Sequence, residues 1–351
     1  MKKILSIVIP TYNMEKYLRH CLDSLLIEDG VDNMEVLVIN DGSKDSSLAI
    51  AQEYESKYPY TFRVIDKENG NYGSCINRGL KEATGKYIKV LDADDSFNTK
   101  TFREFISILK SIDVDLVLTD FLFVDESNKT IESRTYDYIP TNKILDFEKL
   151  CSDGLDMIKI MMHAVTYKRE NLIKMDYKQT EGISYTDNEW IFTPMLQVKT
   201  VYHLNKPLYL YLIGREGQTI ETSVRYKNFK QEIKVTEEMI SQIQSIPNKN
   251  PAIESALYSL LYKRIGLLYK LALVSGKDHI DNNLVIEFDD FLKQKESNLY
   301  SLTNDLYTGN RYKFYYVKFW RNNKRKKIAD YHFWPFKFFS LILTILKKNS
   351  S

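Results

Sequence analysis

Apolar positions recur along this chain with two different periods, and the switches between them outline its elements. Ser6 to Pro10 (SIVIP) is a continuous β-branched run, as expected of a strand buried on both faces. Asn13 can cap a helix whose apolar positions Tyr17, Leu18, Cys21, Leu22, Leu25 and Leu26 recur at helical spacing. Glu35 to Ile39 (EVLVI) predicts a second strand, a helix follows from about Ser46 to Tyr58, and Phe62 to Asp66 predicts a third strand. A glycine-rich turn, Asn69 to Gly73, leads into a helix from Ser74 to Ala83 that stops at Gly85. Tyr87 to Leu91 then reads as a nearly buried strand, broken only by Lys89. Strands alternating with helices in this way predict a parallel sheet with right-handed crossovers.

Further on, Thr99 to Ser111 predicts a helix and Asp115 to Val124 (DLVLTDFLFV) a strand, while 125–142 is polar and weakly patterned, a loop or hairpin excursion. Ile160 to Tyr167 reads as a strand, Arg169 to Met175 as a short helix and Asp187 to Gln197 as a helix. Two short strands, Val201 to Leu204 and Leu208 to Ile213, precede the turn Gly214 to Gly217. From Tyr226 to Tyr300 the period is helical, giving two or three long helices with Pro247 and Pro251 between the first two. The expected organisation is an α/β domain over 1–223, a helical region over 224–310 and a tail over 311–351.

Composition changes this picture in one place. The 351 residues, 44% hydrophobic and 27% charged, suit a globular protein with room for two domains. The net charge of +2 conceals an asymmetry: residues 311–351 hold 11 Lys and Arg against Asp330 alone, so that tail carries +10 and the rest −8. Cys21, Cys75 and Cys151 are odd in number and widely spaced, which suggests a reduced, cytoplasmic setting and no disulfide framework. The apolar run after Lys2 and Lys3 ends at Pro10, too short for a signal peptide, and no stretch approaches the ~18 apolar residues of a spanning helix.

The chemistry gathers at strand ends. Asp92, Asp94 and Asp95 (DADD) follow the Tyr87 strand directly, and carboxylates this close repel unless a cation or a donor-rich ligand sits between them. In open α/β sheets ligands collect at the carboxyl ends of the strands, so a divalent metal holding a phosphate accounts for the cluster; a solvated acidic turn is the alternative. Thr11-Tyr12-Asn13, Asn40-Asp41-Gly42 and the Gly70 to Gly73 turn fall on the same edge.

With SIVIPTYN (Ser6 to Asn13), EVLVINDGSKD (Glu35 to Asp45), NGNYGSCINRGLKEATGKYIKVLDADD (Asn69 to Asp95) and TDNEW (Thr186 to Trp190) in this order, the chain resembles the inverting, nucleotide-sugar-dependent glycosyltransferases of family 2, over about its first 220 residues. The resemblance implies the GT-A fold: a Rossmann-like, mostly parallel sheet flanked by helices, here with a C-terminal helical region. It implies a UDP-sugar donor, a glycan or lipid-linked acceptor, a Mn2+ or Mg2+ ion, and a place in the synthesis of bacterial cell-surface polysaccharide or glycoconjugate. By position, Thr11 and Tyr12 would meet the nucleotide, with Tyr12 stacking on the base or else packing locally. Asp41 would accept from uracil N3–H, and Lys67 and Asn77 would line the pocket, although Ile76 stands where relatives often have arginine.

Asp92 and Asp94 match the family's DxD, with Asp92 near ribose or metal, Asp94 the stronger metal ligand and Asp95 behind them or capping a helix. Asp187 is the candidate base that takes the acceptor's proton, and Glu189 competes with it; two positions apart on a helix, both cannot face the site. Arg215 either closes over the diphosphate or is a surface arginine, and His163 is either a core histidine or part of the acceptor region. A nucleotidyltransferase or a sugar-nucleotide-binding regulator on a similar sheet is the rival reading. The first would want a glycine-rich basic loop after strand one, where PTYNMEKY has no glycine, and a regulator has no use for Asp187.

The tail mixes Tyr312, Phe314, Tyr315, Tyr316, Phe319 and Trp320 with basic residues, then runs through Phe333 to Leu346. Too short to span a bilayer, it suits an interfacial anchor on an anionic membrane, and a helix docked on the fold is the alternative. Its aromatics are not spaced as stacking platforms, which argues against nucleic acid. The expected location is cytoplasmic and peripheral to the membrane.

Overall fold

The computed structural model describes residues 3–27, 33–215, 221–309, 313–329 and 332. Two compact units divide them: Met1–Thr219 with Ser241–Ser259, and Ile220–Ile240 with Leu260–Ser351.

The first unit is built on one mixed sheet. In chain order it runs β1 (Leu5–Thr11), α1 (Leu18–Asp23), β2 (Met34–Asp41), α2 (Ser47–Lys57), β3 (Phe62–Lys67), α3 (Asn71–Glu82), β4 (Tyr87–Val90), β5 (Ser96–Phe97), α4 (Thr99–Ser111) and β6 (Leu116–Val124). Then come β7 (Thr130–Arg134), β8 (Ile144–Asp146), α5 (Phe147–Ser152), β9 (Val165–Lys168), α6 (Arg169–Lys174), α7 (Asp187–Trp190) and β10 (Thr200–Leu212). The strand order is β3-β2-β1-β4-β9-β6-β10-β5, with β7 beside β6 and β8 beside β10.

The first four strands are parallel, as their alternation with helices predicts, and all eight residues of β2 are buried because helices cover both faces. Gly79 lets α3 lie against β1: a Cβ there would sit 2.4 Å from Val8 Cγ1. Phe102, Phe105 and Leu109 carry the buried stripe of α4, whose N-cap is Asn98, its side chain accepting from Thr101 N at 3.0 Å.

Several elements differ from the periodicity. Asn13 does not cap α1; it sits at φ +54, and its Oδ1 accepts from Lys44 N, so it ties the end of β1 to the turn after β2. The helix itself is only Leu18–Asp23. Residues 160–167 divide into a 3-10 turn, Met162–Ala164, and β9, which is antiparallel to both β4 and β6. The helix expected over 187–197 is a single turn followed by a 3-10 segment, Thr193–Gln197. Conversely, the two short strands after Val201 are one strand, β10, whose register against β6 shifts on either side of Pro207, between Leu204 and Pro207 and between Pro207 and Tyr209, where proline has no amide to give the ladder. The 125–142 excursion is in part the β6–β7 hairpin.

The second unit is helical, drawing on α8 (Thr222–Lys227), α9 (Phe229–Ser245), α10 (Pro251–Lys270), α11 (Asn282–Lys295), α12 (Ser297–Leu302) and α13 (Tyr316–Asn322). Its polar centre is the fully buried Asp289, which accepts from Tyr269 Oη at 2.6 Å and Arg321 NH2 at 2.7 Å and pairs with Arg325 at 3.0 Å. Trp320 and Val317 are completely buried, so 313–329, expected to begin a separate tail, packs into this unit. Residues 333–351, the greasy part of the expected anchor, lie outside the described residues. Among the described residues no helix is long and apolar enough to cross a membrane.

Lys89, the polar break in β4, is fully buried. Its Nζ donates to His163 O at 2.8 Å and Val165 O at 3.1 Å, and it lies within 6 Å of the Phe97 and Tyr209 rings. It thereby ties β4 to the 3-10 turn and β9. Burial pushes its pKa down to about 7. Between that value and the ordinary lysine value, near 10.4, the unfolded chain holds a proton that the folded chain has lost, so this group makes stability rise with pH. We expect Lys89→Met to flatten the pH dependence of urea unfolding between pH 7 and 9.5, by up to ~1.4 kcal/mol per pH unit. Identical slopes for the variant and the parent would show that the ammonium is not held in this way.

Candidate functional site

Because β1, β2 and β4 are parallel neighbours, their carboxyl ends open on one edge, and four clusters meet there. Thr11 ends β1 buried, with Oγ1 donating back to Ile9 O at 3.1 Å, so its hydroxyl is already occupied. Tyr12 is half exposed, its ring available to a flat ligand. Asp41, ending β2, is buried, and its Oδ1 accepts from Lys67 Nζ at 2.5 Å and Gly70 N at 2.9 Å. Lys67 donates also to Glu68 O at 2.6 Å and Ser74 Oγ at 2.9 Å, so Asp41, Lys67 and the start of α3 form one knot. Asn77 points elsewhere: its amide donates to Gln179 O and Glu181 Oε1 and accepts from Gln179 N, which clasps the 179–181 loop to α3.

The DADD turn is held from several sides. Tyr72 Oη donates to Asp92 Oδ1 at 2.8 Å. Tyr209 Oη donates to Asp95 Oδ2 at 2.6 Å and accepts from Asp92 N at 3.0 Å, while Leu212 N donates to Asp95 Oδ1 at 2.7 Å. Asp94, the outermost of the three, accepts from Arg215 Nε at 2.5 Å, and Arg215 also lies over the Tyr17 ring at 5.8 Å. Burial first, and then the neighbouring Asp94, pushes Asp92 up to about 7 and Asp95 well above the carboxylate range. The attraction of the Arg215 guanidinium works against these effects on Asp92 and is the smallest of them.

Ligand atoms of Asp92, Asp95 and His163 all lie within 4.8 Å of one another, a spacing that suits a divalent ion. His163 is buried, with its ring stacked 4.2 Å from Tyr211 and its Nδ1 without a hydrogen-bond partner among the described residues; burial and then Lys89 hold its pKa down to about 3. Both oxygens of Asp95 are committed to Tyr209 and Leu212, however, whereas Asp92 and Asp94 each take one side-chain donor, Tyr72 and Arg215. Asp95 is not a helix cap, since Asn98 fills that role.

Asp187 opens α7; burial is the main cause of the raised pKa values of Tyr72, Asp92 and Tyr211, and the charge of Asp187 adds to it in each case, so Asp187 lies close enough to act on the DADD turn. Glu189 is turned the other way, fully buried, its carboxylate accepting from Thr180 N at 2.8 Å and Thr180 Oγ1 at 2.7 Å. The approach to α7 is strained, with Tyr185 at φ +67, a region that bulky residues rarely occupy.

Tyr72, Tyr209 and Tyr211 are site residues that the motifs did not disclose. A signal for two of them was present: in LYLYL, Leu208 to Leu212, alternation puts both tyrosines on one face of β10.

The architecture is similar to that of the S. aureus TarS fragment 1-349 in complex with UDP-GlcNAc, with a TM-score of 0.68 at 20% identity over 84% of this chain and 82% of that one. The fold is therefore GT-A: a mostly parallel sheet flanked by helices, with a helical C-terminal region. Residues 6–174 match Glycosyl transferase family 2. The sequence is 30% identical over 226 residues to the uncharacterized glycosyltransferase MG025 of Mycoplasma genitalium, covering 63% of this chain and 72% of that one. It is 28% identical over 230 residues to the minor teichoic acid biosynthesis protein GgaB of Bacillus subtilis, covering 64% of this chain but only 25% of GgaB. The chain belongs to glycosyltransferase family 2.

Proposed function

We propose that this protein is an inverting glycosyltransferase that moves a sugar from a UDP-sugar to a hydroxyl of a glycan or lipid-linked acceptor in the synthesis of cell-surface polysaccharide or glycoconjugate. The observation that carries this reading is that the charge of Asp187 reaches Asp92 in the DADD turn, and that this turn ends β4 beside the parallel strands whose carboxyl ends carry Tyr12 and Asp41. The UDP-GlcNAc complex of TarS and the teichoic acid role in the name of GgaB support the donor and product classes.

In this reading Tyr12 covers the base and Asp41, fixed by Lys67 and Gly70, accepts from uracil N3–H. Asp92 and Asp94 would hold a divalent ion, Mn2+ or Mg2+, which when bound offsets the charge of the departing diphosphate. Arg215, already at this edge on Asp94, adds a guanidinium for the phosphate oxygens. Asp187 takes the proton of the acceptor hydroxyl as that oxygen attacks the anomeric carbon from the face opposite UDP, so the configuration inverts.

The acceptor is expected at an anionic membrane surface on the cytoplasmic side. Lys313, Lys318, Lys324 and Lys326 are exposed before the apolar 333–346 stretch, and basic side chains contribute roughly 1 kcal/mol each against anionic lipid.

Three outcomes are expected. Asp187→Asn keeps shape but cannot accept a proton, so transfer should fall by about 10² or more with UDP affinity within about twofold; unchanged turnover would remove Asp187 as the base. Asp94→Ala should abolish the Mn2+-dependent part of UDP-sugar binding in titration calorimetry, and parent-like binding by that variant in EDTA would refute the metal assignment. The full chain should co-sediment with anionic but not neutral vesicles at low salt, whereas a chain ending at Asp330, which retains α13, should not. Equal binding by both chains would assign the contact to the folded units.

A further inference from the structure

The structure points to Glu189 as the positioning residue for Asp187, acting through Thr180 and helix α3; this rests on the reading of Asp187 as base. α7 is one helical turn, too short to hold a direction by its own hydrogen bonds. Within the turn the Asn188 amide donates to Asp187 Oδ1 at 3.1 Å and to Tyr185 O at 2.9 Å, which fixes the carboxylate against its own turn; the chain enters that turn through the strained Tyr185, so the direction of the turn as a whole is imposed by contacts outside it.

Those contacts run through Glu189. Its two oxygens accept from the amide and hydroxyl of Thr180 at 2.8 and 2.7 Å, and Oε1 also from Gln242 Nε2 at 3.3 Å, while Gln242 bonds in turn to Thr193 Oγ1. Thr180 is itself immobilised against α3. A Cβ on Gly73 would lie 1.9 Å from Thr180 O, which shows how closely the two backbones approach. Next to it, Asn77 brackets Gln179 through both of that residue's backbone groups, and Gly182 N donates to Gly70 O at 2.9 Å. Gln179 Nε2 reaches back to Thr186 O at 2.5 Å, a second tie just before the base.

Helix α3 begins at the Asp41–Lys67–Gly70 knot and carries Tyr72, whose hydroxyl touches Asp92. Glu189 therefore refers the base to the same helix that organises the nucleotide edge and the carboxylate turn. The distance between Asp187 and the reacting carbon is set through this path, and not by the local backbone. Misplacement by about 1 Å can lower a rate by 10² without weakening ground-state binding.

The test compares Glu189→Ala, Glu189→Gln and Thr180→Val with the parent in the full-length protein, reading kcat for transfer, donor KM and UDP-binding stoichiometry. Glu189→Ala and Thr180→Val are expected to lose about 10- to 100-fold in kcat, with donor KM and UDP affinity within about twofold. Glu189→Gln should recover to within about fivefold of the parent, because its amide oxygen still accepts from Thr180 N while the Thr180 hydroxyl turns to accept from its NH2 and the Gln242 amide, flipped, presents its oxygen to that NH2 and its own NH2 to the Thr193 hydroxyl. The inference is overturned if Glu189→Ala and Thr180→Val turn over like the parent. It is overturned equally if kcat falls only in step with lost UDP-binding sites, or if Glu189→Gln is as impaired as Glu189→Ala, which would assign the role to charge instead of position. Should Glu189→Ala fail to fold, Thr180→Val and Glu189→Gln decide alone. Asp187→Asn is run alongside: an active Asp187→Asn removes the base reading and this inference together, whereas an inactive one beside normal Glu189 and Thr180 variants removes this inference only.

Discussion

Three carboxylates within four residues, at the buried end of a central strand, impose the main constraint on this molecule. Left alone, Asp92, Asp94 and Asp95 would repel one another in a setting that solvates charge poorly. Each is answered differently. Asp95, the most enclosed, takes donors from a tyrosine hydroxyl and a backbone amide of β10. Asp92 takes the hydroxyl of Tyr72, and Asp94 takes a guanidinium. The innermost carboxylate is thus consumed by the fold, while the outer two each hold one side-chain partner. In the proposed function that difference leaves Asp92 and Asp94 to a ligand.

The surroundings repeat this division of labour. Asp41 is locked by Lys67 and Gly70 on one oxygen, and Tyr12 beside it is left half exposed. Of the two acids on α7, one faces the DADD turn and the other is buried against Thr180. Lys89 is buried behind the turn at a cost in desolvation that its two carbonyl partners only partly offset, and it serves to tie β4 to the segment bearing His163. Three of the non-glycine residues at positive φ border this edge, Asn13 after β1, Asn71 at the start of α3 and Tyr185 before α7. Backbone held in such conformations persists only where surrounding contacts over-determine it, and the knots around Asp41 and Thr180 do so here.

The sequence by itself determined the first four strands and their parallel order, the placement of the polar clusters on one edge, and the family. The first two follow from short-range facts: a β-branched run buries both faces, crossover helices force parallel neighbours, and parallel neighbours align their carboxyl ends; the family came from the resemblance of four motifs in order. Only the tertiary structure decided the rest. Arg215 meets Asp94 across 121 residues, Tyr209 meets Asp95 across 114, and Asn77 is drawn from the pocket by a loop 102 residues away. The antiparallel insertion of β9, the merging of two predicted strands into β10 and the burial of Trp320 depend likewise on partners that no local pattern names. Asp187 and Glu189 lie two residues apart on one turn of helix, and spacing alone says only that they diverge. Which one faces the carboxylates is set by Thr180 and Gln242, because a one-turn helix takes its orientation from what it packs against.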